Sequence, residues 1–112
     1  MSTQLPTDEN GRVIPALRFM PAGAHVLSAG SASVRVGPFS AKTRVISLYA
    51  TVPVFVATGD ATVSASASDH FFPAGTYYHV SLGGDLQGRG RHGYIAALRA
   101  DTDGTLYISE KE

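Results

Sequence analysis

The chain has 112 residues, no cysteine, a formal net charge of zero, 16% charged and 44% hydrophobic residues. That length suits one domain with one core. The missing cysteines exclude disulfide staples and thiolate metal sites, and the zero net charge gives no electrostatic reason to expect nucleic acid or an acidic membrane as partner. No apolar run approaches the roughly 20 residues of a membrane helix. Met1-Ser2-Thr3-Gln4-Leu5-Pro6 lacks the basic start and apolar run of a secretory leader, so synthesis in the cytosol is expected. Soluble domains average roughly 25% charged residues. A surface this poor in charge is expected to be covered in part by another protein.

Residues 1–11 are polar and read as a flexible N-terminal arm, free to order on a neighbouring subunit. Residues 12–112 read as a single β domain. Arg12 to Phe19 is expected as a first strand, with Pro15 marking an edge or a bulge. Pro21-Ala22-Gly23 is expected to turn the chain, and Ala24 to Ala29 to form the next strand. Ser33 to Val36 alternates as a half-buried strand does, and Gly37-Pro38 breaks it.

Thr43 to Ala50 is the most strand-like run. Val45, Ser47 and Tyr49 fall on one face, and Arg44, Ile46, Leu48 and Ala50 on the other. Pro53 separates it from a strand over Val54 to Ala57, and Thr58-Gly59-Asp60 reads as a turn. Ala61 to Ser68 alternates small residues with Ser and Thr, and its second half reads as a loop.

Phe71-Phe72-Pro73-Ala74-Gly75-Thr76-Tyr77-Tyr78-His79-Val80 reads as strand, tight turn, strand. It echoes Phe19-Met20-Pro21-Ala22-Gly23-Ala24-His25-Val26. Gly83-Gly84 ends the strand from Thr76 to Leu82, and Asp85 to His92 forms a loop carrying Arg89, Arg91 and His92. Gly93 to Ala100 reads as a buried strand, Asp101-Thr102-Asp103-Gly104 as a hairpin connection, and Thr105 to Ser109 as the closing strand. Glu110-Lys111-Glu112 reads as a solvated end. Gly and Pro recur roughly every 8 to 15 residues, and no window has helical periodicity. The expectation is an all-β fold, a single sandwich or jelly-roll-like barrel of about seven to nine short antiparallel strands.

The candidate chemistry is thin. His25 and His79 follow matching Pro-Ala-Gly segments and are expected in surface or interface roles. The Gly75-to-His79 spacing is one residue too long for a cupin-type metal motif, and no His-x-His is present. Ser68-Asp69-His70 is contiguous, so its side chains diverge along an extended chain, and there is no Gly-x-Ser-x-Gly. The Gly/Arg loop lacks the following helix or Lys-Ser/Thr of a phosphate cradle, whereas arginine suits protein interfaces. No catalytic residue, metal or cofactor is expected.

The order of motifs resembles a group of small tailed-bacteriophage virion proteins. The residues involved are Tyr49-Ala50-Thr51, Val54 to Gly59, Ala61 to Asp69, Phe72-Pro73-Ala74-Gly75, Gly83-Gly84, Tyr94-Ile95-Ala96 and Asp103 to Glu110. They are similar to that group's "ATxD" strand end, "xIAFG" strand, "TATASD" loop, "LPAG" turn and final "GTLxITE" strand. The chain departs in Thr58, where Phe is common, and in the long Gly/Arg loop.

The resemblance implies a structural, non-enzymatic component of a virion. The role expected is a capsid decoration (cement) protein on the outer surface of the major capsid protein, assembled in the host cytoplasm. A homo-oligomer, with a trimer favoured, would hide sheet edges by cyclic closure. Interface contacts are expected at Leu5 and Pro6 of the arm, at Phe71, Tyr77 and Tyr78, and at Arg89 and Arg91. The alternatives are a head–tail joining or tail component and, in another class, a carbohydrate-binding jelly roll using Tyr77, Tyr78 and Tyr94 as a stacking platform.

Overall fold

The computed structural model describes Asn10, residues 17–85 and residues 87–112. Among these residues there is no helix, and eight strands form: β1 (Phe19–Ala29), β2 (Val34–Val36), β3 (Val45–Ala50), β4 (Val54–Gly59), β5 (His70–Phe72), β6 (Tyr77–Ser81), β7 (Tyr94–Arg99) and β8 (Gly104–Lys111). They build two antiparallel four-stranded sheets, β1-β8-β3-β6 and β2-β7-β4-β5. Six of the seven connections cross from one sheet to the other, and only β4–β5 stays within a sheet. A double-sheet chain of eight strands wound this way is a jelly roll.

Period-two alternation fills the space between the sheets. Leu27, Ile46, Leu48, Ala50, Leu106 and Ile108 point in from one sheet, and Val54, Val56, Ile95 and Ala97 from the other, all nearly inaccessible. Burying a side chain of this size is worth about 1.5–3 kcal/mol relative to leaving it exposed. Phe39, in the β2–β3 connection, closes one mouth of the sandwich and is held by its N–H to the Gly93 carbonyl.

Several local expectations are corrected. Pro21-Ala22-Gly23 does not turn the chain. β1 runs through it, with a register shift between Phe19 and Ala24 and Ala22 at φ 62°. The matching Pro73-Ala74-Gly75 does turn, but it carries the chain from one sheet to the other. Asp101 to Gly104 likewise joins β7 and β8 of different sheets, so it is a sheet crossing and not a hairpin. Thr58 and Gly59 extend β4, and the turn begins at Asp60.

The chain end is not solvated. β8 is an interior strand between β1 and β3, and Glu110 within it is 5% exposed. Arg18 and Glu112 exchange two backbone hydrogen bonds and an ion pair at 2.7 Å. Lys111 lies over the Phe19 ring at 4.9 Å. Apart from Asn10, the arm lies outside the described residues, as does most of the strand expected over Arg12 to Phe19.

Candidate functional surface and polar cluster

Register places four side chains in one row across the outer face of the first sheet. Val26 on β1 opposes Tyr107 on β8, which opposes Tyr49 on β3, which opposes Tyr77 on β6. Residues directly opposite one another share a face, and the neighbouring rows, with Ile108 and Leu48 or with Leu106 and Ala50, point into the core. Val26 and Tyr77 are 65% and 64% exposed, and the Tyr49 and Tyr77 rings meet at 4.8 Å. The result is an exposed apolar and aromatic band spanning a whole sheet.

The outer face of the second sheet differs. The 60–69 loop leaves β4, sends the Ala65 N–H to the Ser33 hydroxyl beside β2, and returns to β5. It therefore crosses β7, and Ala96 on the outer side of β7 is fully buried. Asp60 starts this loop as an Asx turn. Its carboxylate accepts from the Thr62 hydroxyl and N–H, which hold it below the ordinary carboxylate value. Beyond the loop, Phe55 and Phe71 form an edge-to-face pair at 5.7 Å.

One polar constellation lies inside the sandwich mouth. Glu110 and His25 both point inward, because they alternate in phase with Ile108 and Leu27. The Glu110 carboxylate accepts from the Thr43 hydroxyl at 2.6 Å, the Ser40 N–H at 2.8 Å and His25 Nε2 at 2.7 Å. Burial pushes this carboxyl up. The Thr43, His25 and Ser40 donors outweigh burial and hold it below the usual value. The His25 ring packs on Phe39 at 5.5 Å, so His25 is a half-buried hydrogen-bond partner of Glu110 and not a surface histidine. The cluster's donors and acceptors satisfy one another, which is the mark of a structural cross-link.

The Gly/Arg loop is tied down more than its composition implies. Asp85 accepts from the backbone N–H of Arg89 and of Gln87 and from Arg89 Nε, and these bonds keep its carboxyl below the ordinary value. Arg91 donates to the Thr43 carbonyl at 3.2 Å, and His92 Nδ1 shares a 2.7 Å hydrogen bond with the Thr58 hydroxyl. Arg89 remains exposed, with its guanidinium spent on Asp85.

Of the expected contacts, Phe71 and Tyr77 are exposed at the two ends of the β5–β6 corner, on opposite sheets. Tyr78 points between the sheets and meets Phe72 edge-to-face at 5.0 Å. Leu5 and Pro6 lie outside the described residues. Tyr77, Tyr78 and Tyr94 form no common platform: one faces out of the first sheet, one faces in, and Tyr94 is on β7 of the second.

An open hollow of about 590 Å³ lies at the opposite mouth, lined by residues including Ser28, Gly30, Arg99 and Asp103. Its charged groups pair with each other. No group of three or more metal-binding side chains occurs among the described residues. The chain matches no family model, no curated protein and no solved structure.

Proposed function

We propose that this chain is a structural component of a tailed-phage virion, acting as a decoration protein that attaches to the outer surface of the major capsid shell. The observation that carries the reading is the exposed band Val26, Tyr107, Tyr49 and Tyr77, which spans all four strands of one sheet. A flat apolar band suits attachment to another protein better than capture of a small molecule, which calls for a concave site. The short motifs behind the resemblance support it in a second way. They fall on the end of β3, β4, the crossing loop, the β5–β6 corner, the start of β7 and β8, so they describe a framework and not a set of reacting groups. Many weak contacts, repeated over a symmetric shell, add up through effective concentration.

The test is binding to purified phage heads that lack this protein, followed by cosedimentation and light scattering. Saturation at hundreds of copies per head is the expected result. Binding of about six or twelve copies would replace decoration with a joining or tail role. No binding to heads or tails would overturn the virion reading.

A further inference from the structure

An unguarded sheet edge pairs with any strand that reaches it, so proteins blunt their edges with charge, proline, bulges or shortness. Among the described residues the two sheets have four edge strands, and three carry such a guard. β1 is interrupted by the bulge around Pro21 and Ala22, and it runs beside β2 of the facing sheet. β2 has three residues with exposed Arg35 at its centre, and Pro38 follows two positions on. β5 has three residues and stops at Pro73.

β6 has none of these devices. It has five residues, no Asp, Glu, Lys or Arg, no proline and an unbroken register, and among the described residues it pairs with β3 alone. Among the described residues, no strand pairs with its outer row of N–H and C=O groups. Beside it, Phe71 and Tyr77 are 54% and 64% exposed.

We propose that β6 is a self-association edge. The β6 strands of two copies pair antiparallel about a two-fold axis, and the sheet β1-β8-β3-β6 becomes one continuous eight-stranded sheet. Pairing over all five residues puts the axis at His79, the middle of the strand. Tyr77 then opposes Ser81 of the second copy, and Tyr78 opposes its Val80. His79 opposes His79 of the second copy, the paired run holds no Asp, Glu, Lys or Arg, and the half-buried Tyr78 and Val80 complete the wall beside the Phe72–Tyr78 contact. A second copy is the fitting occupant because the edge has no charge with which to select a basic or acidic tail, while its own Tyr-Tyr-His-Val run is strongly strand-forming. The assembly is a two-fold dimer, in place of the trimer expected from cyclic closure of the sheet edges. Pairing at the edge leaves the outer aromatic band open. The inference concerns the isolated chain and holds whether or not the partner is a capsid.

Sedimentation velocity of the full chain tests it. The expected result is a concentration-dependent mass of twice 11.7 kDa. His79→Glu and His79→Lys each place like charges on the axis, so each should sediment as a monomer with an unchanged thermal melt. An equimolar mixture of the two should regain the dimer. Because the chain has no cysteine, His79→Cys gives an independent readout. Antiparallel neighbours lie within disulfide range, so mild oxidation should cross-link this variant and leave Val26→Cys uncross-linked. A single-chain mass up to about 1 mM, the weak end of measurable association, would overturn the proposal. So would a trimer, or dimers indifferent to every His79 variant.

Discussion

Glu110 is a buried carboxylate that ties separate segments of the chain together. It is 5% exposed and joins three segments: β1 through His25, the 37–43 connection through Ser40 and Thr43, and its own β8. Removing the charge while keeping the shape leaves the Ser40 and Thr43 donors facing a weaker acceptor, so Glu110→Gln should cost about 2–4 kcal/mol at neutral pH in denaturant unfolding. The pH dependence follows from the direction of the shift. The folded carboxyl sits below its ordinary value of 4.5, so its contribution is fully present above that value. It is lost as pH falls through the lower folded-state value. As pH falls below the ordinary carboxylate value of 4.5, the wild type should lose stability more steeply than Glu110→Gln, and equal slopes would place the acid response elsewhere. The residue's role was partly legible. Polarity and a terminal position argued for solvent, yet Leu106, Ile108 and Glu110 keep one parity, and parity alone assigns Glu110 to the inner face. The partners were not legible, because His25 is 85 residues away and nothing local announces the pairing.

At the scale of elements, one motif produces two backbones. Pro73-Ala74-Gly75 places its positive φ on Gly75, at 82°, in open space. Pro21-Ala22-Gly23 places it on Ala22, at 62°, inside a bulge, where a Cβ on Gly23 would press on Glu110 and Met20 at 3.0 Å. An L side chain in that region costs about 1–2 kcal/mol, partly offset by the unfolded-state entropy of glycine. The two substitutions should therefore have opposite signs. Gly75→Ala should destabilise by about 1 kcal/mol, and Ala22→Gly should stabilise by about 0.5 kcal/mol, read as shifts in the denaturant midpoint at constant slope. Strands were legible for the reason these turns were not. Alternation such as Ile46, Leu48 and Ala50 reports burial directly, and it located β3, β4, β6 and β7 to within a few residues. Turn residues report only that the chain bends. Asp103-Gly104 bends it equally well into a hairpin or across to the other sheet, and which strand receives it depends on the whole core.

At the scale of the molecule, the two outer faces divide the work. One is partly covered by the chain's own 60–69 loop, and the other leaves a band of Val26, Tyr107, Tyr49 and Tyr77 uncovered. Composition anticipated a charge-poor surface, and only register could align residues 26, 49, 77 and 107 into one row. The fold separates surface roles that the sequence had grouped together. Arg91 supports the Thr43 carbonyl, and Thr43 in turn holds Glu110, so reversing its charge would disturb the fold as well as the surface. Arg89 is exposed and bonded only within its loop among the contacts described, so Arg89→Glu should leave stability unchanged within about 0.5 kcal/mol. The band is the sharper test. Val26→Glu with Tyr107→Lys places opposite charges directly across β1 and β8, a pairing the sheet tolerates, while it removes half of the apolar row. If the band is the attachment face, this double variant should lose head binding at least tenfold and keep both its melt and its self-association. The His79 variants should do the reverse at the level of the single chain, losing the dimer and binding heads more weakly only through lost avidity. A double variant that binds heads as tightly as wild type would move attachment off this sheet, whatever the state of the dimer.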